Sequence, residues 1–473
     1  MVFADLFFIC FFLPLCLICY FFARSVKAKN IVLIVFSLIF YAWGEPLWVI
    51  LLLFSAAFNW FMGLMAGRHR EQLPGKLIVA AALVVDIGLL FTFKYTGFFV
   101  ETINGVFGAS IPVPDIRLPI GISFFTFQAI SYVIDCYWET VEPQKKFHNF
   151  LLYLSLFPQL IAGPIVRYSV IQDEITERRT TPLDMYDGIT RLVVGLTKKV
   201  LIANNLWTIV TNILGSDIHG LSTLGTWYGV LIYTLYVYFD FSGYSDMAIG
   251  MGRLFGFHFD ENFKHPFMCQ TITEFWQRWH ISLGSFFRDY LLYVPIFGKR
   301  RKYLGLFLVW FCTGMWHGAS WNFILWGLYY GFFIFFEQKL GKKRLKNWPV
   351  WWKHIYSKLV ILIGFGIFYF EDFGQLGQFF VNISGVSAIT GQSPFADIAG
   401  WNSLLSNIFL IIAALILCAP VREKISSFFE KSRKINVLKG YKVANMVCCM
   451  ILLAVCAILL VDSTNNPFLY WRF

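Results

Sequence analysis

Charged residues are scarce in this chain. Only 14% of its 473 residues are Asp, Glu, Lys or Arg, whereas 58% are hydrophobic. A soluble domain carries about a quarter charged residues, so this composition excludes an ordinary soluble protein and indicates a polytopic membrane protein surrounded by lipid. Because each crossing takes about 20 residues, one helical bundle can hold the whole chain. We therefore expect a single integral-membrane domain over residues 1–473.

Paired metal-ligand spacing is also missing. Nearly all of the ten cysteines lie inside apolar runs, where they are typical of small core residues. The C-x-x-C of Cys16 and Cys19 lies within the first hydrophobic run. We predict no metal site, no bound cofactor and no disulfide framework. That first run also lacks a basic segment before it and is followed by Arg24 and Lys27, which argues against a cleaved signal peptide.

Positive charge is unevenly distributed along the chain. Residues 371–402 contain no Lys or Arg and residues 101–117 contain one, so the positive-inside rule predicts that both stretches are external loops. The alternation predicts about 11–12 spanning helices in the cytoplasmic membrane of a bacterium. Both termini, including the tail 462–473, are then extracytoplasmic. The net charge of +11 is scattered over cytoplasmic loops, which fits anionic lipid rather than nucleic acid.

One apolar run cannot be a continuous helix. Residues 149–166 include Pro158, Gly163 and Pro164, which break a spanning helix. Such broken backbone persists at membrane depth only where it is buried in protein or lines a wet cavity. The sequence therefore predicts a re-entrant segment here.

Two histidines stand out in the apolar sequence. His280 lies in WQRWHISL and His317 in MWHGASWNF. An ionisable group at membrane depth is costly unless it faces a polar cavity, so we interpret both as active-site residues. Residues 303–316 and 321–336 are apolar runs separated only by HGAS, which predicts a helical hairpin with His317 at its apex.

Two acids on one predicted membrane helix allow two interpretations. Asp240 and Asp246 lie in YFDFSGYSDMAIG. Together with the histidines they could form the path of an ion-coupled transporter. The alternative is that they lie at the inner end of the helix beside Arg253 and Lys264.

Four strings resemble the membrane-bound O-acyltransferase superfamily as a set: YFDFSGYSDMAIG, ENF, FWQRWHISLGSFFRDYLLYVP and MWHGASWNFILWG. Within it the chain resembles the alginate O-acetylation branch, which is related to the D-alanyl transfer proteins of teichoic acid synthesis. The resemblance implies an all-α membrane bundle around an acyl-transfer tunnel. It also implies that His317 is the invariant catalytic histidine, acting as general base at neutral pH. His280 matches the second active-site position, where it could orient His317, polarise the thioester carbonyl or shape the tunnel.

The same resemblance implies a donor and partners. The expected donor is acetyl-coenzyme A, with a phosphopantetheine carrier protein as the alternative. The basic block Lys299, Arg300, Arg301 and Lys302 could bind the donor's phosphates, or it could be only a topology signal. We predict O-acetylation of an exported polysaccharide or wall glycan through an extracytoplasmic serine-dependent acyltransferase. D-alanyl transfer to teichoic acid is the alternative within this class.

The C-terminal tail suggests an acyl relay. It ends in NPFLYWRF, where Phe468, Tyr470 and Phe473 are similar to the C-terminal motif of the small protein that accompanies the D-alanyl transfer system. The resemblance implies that Tyr470 can accept the acyl group covalently. The alternative is an interfacial aromatic anchor.

Overall fold

The computed structural model describes residues 1–70, 72–161, 163–292, 301–431 and 435–461. Within these ranges the chain forms helices and loops and contains no β-strand, which confirms the predicted all-α fold class. Four described helices are long and apolar enough to cross a membrane, and one bent helix pair would make a fifth. Other predicted crossings fall on described helices that are shorter or more polar, so their number stays a prediction.

The helices before residue 260 begin with a π-helical stretch, Phe8–Phe12, and a second π-helical stretch, Lys198–Ala203, follows α10. In chain order they are α1 (Leu13–Phe22), α2 (Val26–Gly44), α3 (Val49–Arg68), α4 (Leu73–Lys94), α5 (Thr96–Phe107), α6 (Ile122–Tyr137), α7 (Phe147–Ser155), α8 (Phe157–Leu160), α9 (Tyr168–Thr176), α10 (Pro182–Thr197), α11 (Asn204–Ile213) and α12 (Thr223–Leu254).

The helices after residue 260 begin with a 3₁₀ turn, Pro266–Met268. They continue as α13 (Ile272–Trp276), α14 (Ile281–Tyr290), α15 (Lys302–His317), α16 (Trp321–Lys346), α17 (Val350–Tyr369), α18 (Phe373–Ile383), α19 (Val386–Ile389), α20 (Ile398–Ser406), α21 (Ile408–Leu417), α22 (Val421–Glu430) and α23 (Ile435–Val461).

The described chain divides into two compact units. The first contains Met1–Leu192 and Tyr244–Glu261, and the second contains Val193–Gly243 and the chain from Asn262 onward. Both units are discontinuous in sequence, because the division falls within α10 and α12. The single-domain organisation stays a prediction.

The first unit is built around α6. Fifteen of its sixteen residues are buried, so this helix is enclosed by protein rather than lipid. Gly63 on α3 allows a close approach, because a Cβ there would lie 2.3 Å from the ring of Tyr132 on α6. The predicted break near Pro158 is present: α7 ends at Ser155, and α8 begins two residues later with a proline in its first turn.

The two stretches predicted as external loops contain helices. α5 covers part of residues 101–117, and α18, α19 and part of α20 lie within residues 371–402. The side chain of Asp372 caps α18 by accepting a hydrogen bond from the N–H of Gln375 at 2.8 Å. The positive-inside rule predicts on which side of the membrane a segment lies, and it says nothing about the local backbone conformation. A segment with few cations can therefore be helical, although we expected a loop.

The second unit contains the predicted hairpin, formed by α15 and α16. His317 ends α15, and α16 begins at Trp321. Glycines let the two helices approach closely: a Cβ on Gly327 would lie 2.3 Å from the carbonyl oxygen of Trp310, and one on Gly314 would lie 2.4 Å from that of Phe323. The hairpin therefore holds His317 at its turn.

Candidate active site

His317 lies at the carboxyl end of α15 and is buried, with 7% of its surface exposed. Three aromatic rings meet its imidazole edge-on. The ring centroids of Trp316, Trp326 and Phe368 are 4.8, 4.8 and 5.3 Å from it. These rings come from α15, α16 and α17, so three helices fix the orientation of this imidazole.

His280 is buried more deeply, with 1% of its surface exposed. It precedes α14 in the left-handed backbone conformation, with φ of 45° and ψ of 53°. Glycine enters this region most readily, and asparagine, aspartate and histidine are enriched among the other residues that do so. The chain therefore changes direction at His280, between the end of α13 and the start of α14.

Asn262 fixes which nitrogen of the neutral His280 ring carries the proton. Its Oδ1 atom accepts a hydrogen bond from the backbone N–H of Ser282 at 3.2 Å and one from the Ser282 hydroxyl at 2.9 Å. The same oxygen lies 3.2 Å from Nδ1 of His280. Because this amide atom already accepts from a backbone N–H, it is the oxygen, and Nδ1 must be the donor. The neutral ring then carries a lone pair on Nε2, which is buried and has no hydrogen-bond partner among the described residues.

The two imidazoles share one aromatic neighbour. The ring of Trp316 lies 5.5 Å from that of His280 and 4.8 Å from that of His317, centroid to centroid. The ring of His280 also contacts that of Phe241 on α12, with centroids 4.6 Å apart. The structure therefore brings together both histidines that the sequence singles out, within the second unit. Buried indole N–H groups of Trp276 and Trp326 line the same cluster and have no hydrogen-bond partner in the described part of the chain.

The other predicted site residues lie elsewhere or outside the described residues. Arg301 and Lys302 are exposed at the start of α15, whereas His317 ends this helix of sixteen residues. The two ends are about 22 Å apart at the rise of an α-helix. Lys299, Arg300 and Tyr470 fall outside the described residues.

The two acids of α12 have cationic partners different from those expected. Asp240 is fully buried and lies 2.5 Å from the Nζ atom of Lys199 in the second unit. Asp246, in the first unit, accepts hydrogen bonds from Arg191 at 3.0 and 2.8 Å. Arg253, one expected neighbour, instead pairs with Asp187 at 2.8 Å. Fixed ion pairs of this kind favour a structural role over an ion path.

His258 also has a structural environment. Its Nδ1 lies 2.7 Å from Glu174 and its Nε2 lies 3.2 Å from Asp184. Partial burial alone would lower the pKa of His258, but the hydrogen bonds to these two carboxylates outweigh burial and raise it above its ordinary value. This half-exposed histidine in the first unit is not part of the candidate site. No cluster of three or more metal-ligating side chains occurs in the described ranges.

Sequence reasoning alone did not identify three of the site's structural contributors. Asn262 belongs to the quoted ENF string, but its hydrogen bond crosses eighteen positions to His280. Trp326 belongs to the quoted MWHGASWNFILWG string and Phe368 to a separate apolar run, and both look like ordinary lipid-facing residues. The available signal was membership of a quoted string, for Asn262 and Trp326 but not for Phe368.

Comparison with known proteins identifies a family. The model of the MBOAT, membrane-bound O-acyltransferase family matches residues 2–372, which includes both histidines. A probable alginate O-acetylase of Pseudomonas aeruginosa is 38% identical over 385 residues, covering 79% of this chain and 72% of that protein.

Two further relatives have names that mention other polymers. A peptidoglycan O-acetyltransferase of Helicobacter pylori is 35% identical over 356 residues, covering 68% of this chain and 67% of that protein. A teichoic acid D-alanyltransferase of Bacillus subtilis is 31% identical over 242 residues, covering 47% of this chain and 60% of that protein.

Proposed function

The chain belongs to the membrane-bound O-acyltransferase family, and from this premise we propose that it passes an acetyl group across the cytoplasmic membrane for O-acetylation of an exported polysaccharide or wall glycan. It is an O-acyltransferase and a multi-pass membrane protein. The names of two relatives, an alginate O-acetylase and a peptidoglycan O-acetyltransferase, support acetyl as the transferred group. The proposed donor is cytoplasmic acetyl-coenzyme A.

The observation that most supports this function is the pair of buried imidazoles that both pack against Trp316. Acyl transfer to a hydroxyl needs a base that functions at neutral pH, and imidazole is suited to that task. In the proposed step, His317 takes the proton of the attacking hydroxyl. The oxygen of that hydroxyl forms a bond to the thioester carbonyl carbon at the same time. The carbon–sulfur bond then breaks, and the departing thiolate receives the proton from His317. The products are an acetyl ester and free coenzyme A.

His280 has a narrower set of roles than its sequence position suggests. Its Nδ1–H is held by Asn262, so that nitrogen is not available to orient His317. Polarising a thioester carbonyl requires a donor, whereas Nε2 of the neutral ring is an acceptor. We assign His280 the role of accepting a hydrogen bond from a reacting or bound group at Nε2.

The acetyl group is proposed to travel through the tail. Tyr470 would attack the thioester, become an aryl acetate, and then lose the acetyl group to a serine of an extracytoplasmic partner, because a phenolate is a good leaving group. Lys299, Arg300, Arg301 and Lys302 would bind the phosphates of the donor. The length of α15 between this block and His317 suits a thioester at the end of a long flexible arm.

The test is transfer of labelled acetyl from acetyl-coenzyme A to the purified protein, followed by peptide mapping. The variants are His317→Ala and Tyr470→Phe, with His219→Ala as a matched control because His219 is an exposed histidine of the same unit. Loss of a general base lowers the rate by about 100- to 10,000-fold. We expect label on Tyr470 in the parent and the control, and none in the other two variants.

The alternative donor has its own outcome. The similarity to a teichoic acid D-alanyltransferase favours D-alanine on a carrier protein as the second candidate. Label from D-alanyl carrier protein but not from acetyl-coenzyme A would establish that alternative. Failure of both donors in the parent would reject acyl transfer by this chain.

A further inference from the structure

Glu337 is a buried carboxylate at the end of an aromatic stretch of α16. Only 3% of its surface is exposed, and a buried carboxylate is costly unless several donors reach it. The residues before it, such as Phe335 and Phe336, are apolar, whereas Gln338 and Lys339 follow it. If this side chain only filled space, leucine would stabilise the fold more, because it needs no hydrogen-bond donors when buried.

Four neutral donors surround this carboxylate. Oε1 accepts from the backbone N–H of Ile272 at 2.6 Å and from the hydroxyl of Tyr356 at 3.1 Å. Oε2 accepts from the N–H of Thr273 at 2.8 Å and from its hydroxyl at 2.5 Å. Both oxygens are therefore used as acceptors, and two of the bonds reach consecutive N–H groups at the start of α13.

The segment held by Glu337 leads directly to His280. Residues 271–280, which we call the α13 segment, begin at the N-cap of α13 and end at the left-handed histidine. At its far end, the N–H of Ile281 donates to the carbonyl oxygen of Asn262 at 3.0 Å. Between the two ends, the ring of Trp276 packs against Trp310 and Trp326, with centroids 4.8 and 5.4 Å away.

Glu337 and His317 belong to the same hairpin. Glu337 lies on α16 eleven residues after Trp326, whose ring contacts His317. The carboxylate thus ties the hairpin that holds His317 to the segment that holds His280. Its two oxygens accept from the backbone N–H groups of Ile272 and Thr273, one each.

We infer that Glu337 is a positioning residue for acyl transfer, which sets the place of the α13 segment, and so of the His280 imidazole, relative to the His317 hairpin. This inference rests on the proposed function for its kinetic consequence. Its geometric content, that the carboxylate fixes the segment on the hairpin, can be measured without any donor.

The sharpest variant is Glu337→Gln. It has the same shape, but its amide nitrogen must face one of the two backbone N–H donors, so that hydrogen bond is lost, whereas the hydroxyl on the same side can turn and accept. A displacement of about 1 Å at a reacting group can lower a rate by about 100-fold. We expect kcat to fall by roughly 10- to 100-fold, with the KM for the donor nearly unchanged. Glu337→Asp keeps both acceptor oxygens and should recover part of the rate, whereas Tyr356→Phe removes one donor and should change kcat by less than about threefold.

The donor-independent measurement is a pulsed-EPR distance between two spin labels. Gln277 on the α13 segment and Phe332 on α16 are both exposed. The parent should give one narrow distance distribution, and Glu337→Gln a shifted or broadened one. Glu337→Asp should return toward the parent, and it keeps the measurement informative if the glutamine variant does not fold.

Each outcome decides the inference. A lower kcat together with an altered distance supports positioning. An unchanged kcat, or a lower kcat with the parental distance distribution, overturns it. If the parent transfers no acyl group from either donor, the proposed function fails, and the distance measurement alone then decides whether Glu337 positions the segment.

Discussion

Replacing Asn262 by leucine tests whether the orientation of His280 matters for transfer. Leucine has a similar size but no acceptor, so Nδ1 of His280 and both donors of Ser282 lose the oxygen that they share, and only the 3.4 Å contact between the Ser282 hydroxyl and Nδ1 stays. Each such bond contributes about 1 kcal/mol, so the unfolding free energy should fall by roughly 3 kcal/mol. The imidazole is then free to turn and to change tautomer, which removes the lone pair from its fixed place.

The rate should respond more than the stability suggests. A general acid–base group contributes about 100- to 10,000-fold, which sets an upper limit for the loss in kcat, because Asn262 acts only through His280. A matched control is Asn382→Leu, since Asn382 is equally buried in the same unit and donates to the carbonyl oxygen of Ile218 at 2.8 Å, away from both histidines.

The assay compares acetyl transfer and thermal unfolding in detergent for the two leucine variants. We expect both to unfold at lower temperature and only Asn262→Leu to lose transfer. Equal transfer in both variants, at equal loss of stability, would refute the reasoning that a fixed His280 tautomer is needed.

Three further predictions concern packing and charge. Lys199→Met leaves the buried carboxylate of Asp240 without its cation and should lower the unfolding free energy by about 3–5 kcal/mol, with much of this loss recovered when Asp240→Leu is added, as measured by thermal unfolding. Gly327→Ala places a methyl group against a facing backbone carbonyl and should cost about 1–3 kcal/mol. Gly377→Ala, which has open space around it, should instead stabilise the protein by up to about 1 kcal/mol in the same assay, because alanine is the better helix former. His258 has a raised pKa, so its stabilisation is present below the unfolded pKa of about 6.5 and is lost as pH rises through the folded value. His258→Gln should therefore lower the free energy of unfolding more at low pH than at high pH, by no more than about 0.5 kcal/mol because the pair is so exposed. Melting temperatures measured at both pH values check this, and an equal effect at both would contradict the assignment.

Much of the fold, and the position of the candidate residue His317 at a turn, could be predicted from sequence because the signals are local. Apolar runs of helical length define the bundle, and a four-residue gap between two such runs places His317 at a turn. Proline and glycine near position 158 predict the broken backbone. These features depend on residues close together in the chain, where physical rules are strong.

The missing parts depend on long-range contacts. The link from Glu337 to Ile272 spans 65 positions, and the pair of Lys199 with Asp240 spans 41. The predicted apolar run ended at residue 336, so Glu337 looked like the first polar residue beyond a membrane helix. No spacing rule connects such residues, because helix packing and not sequence distance brings them together.

The left-handed backbone at His280 limits which amino acids this position tolerates. Most residues would be strained at φ of 45°, whereas glycine and asparagine fit with little cost. A codon library at position 280, selected only for stable insertion in the membrane, should therefore retain mainly histidine, asparagine and glycine. A second selection, for glycan acetylation, should discard glycine, and the fate of asparagine would separate hydrogen bonding from proton acceptance as the contribution of this side chain.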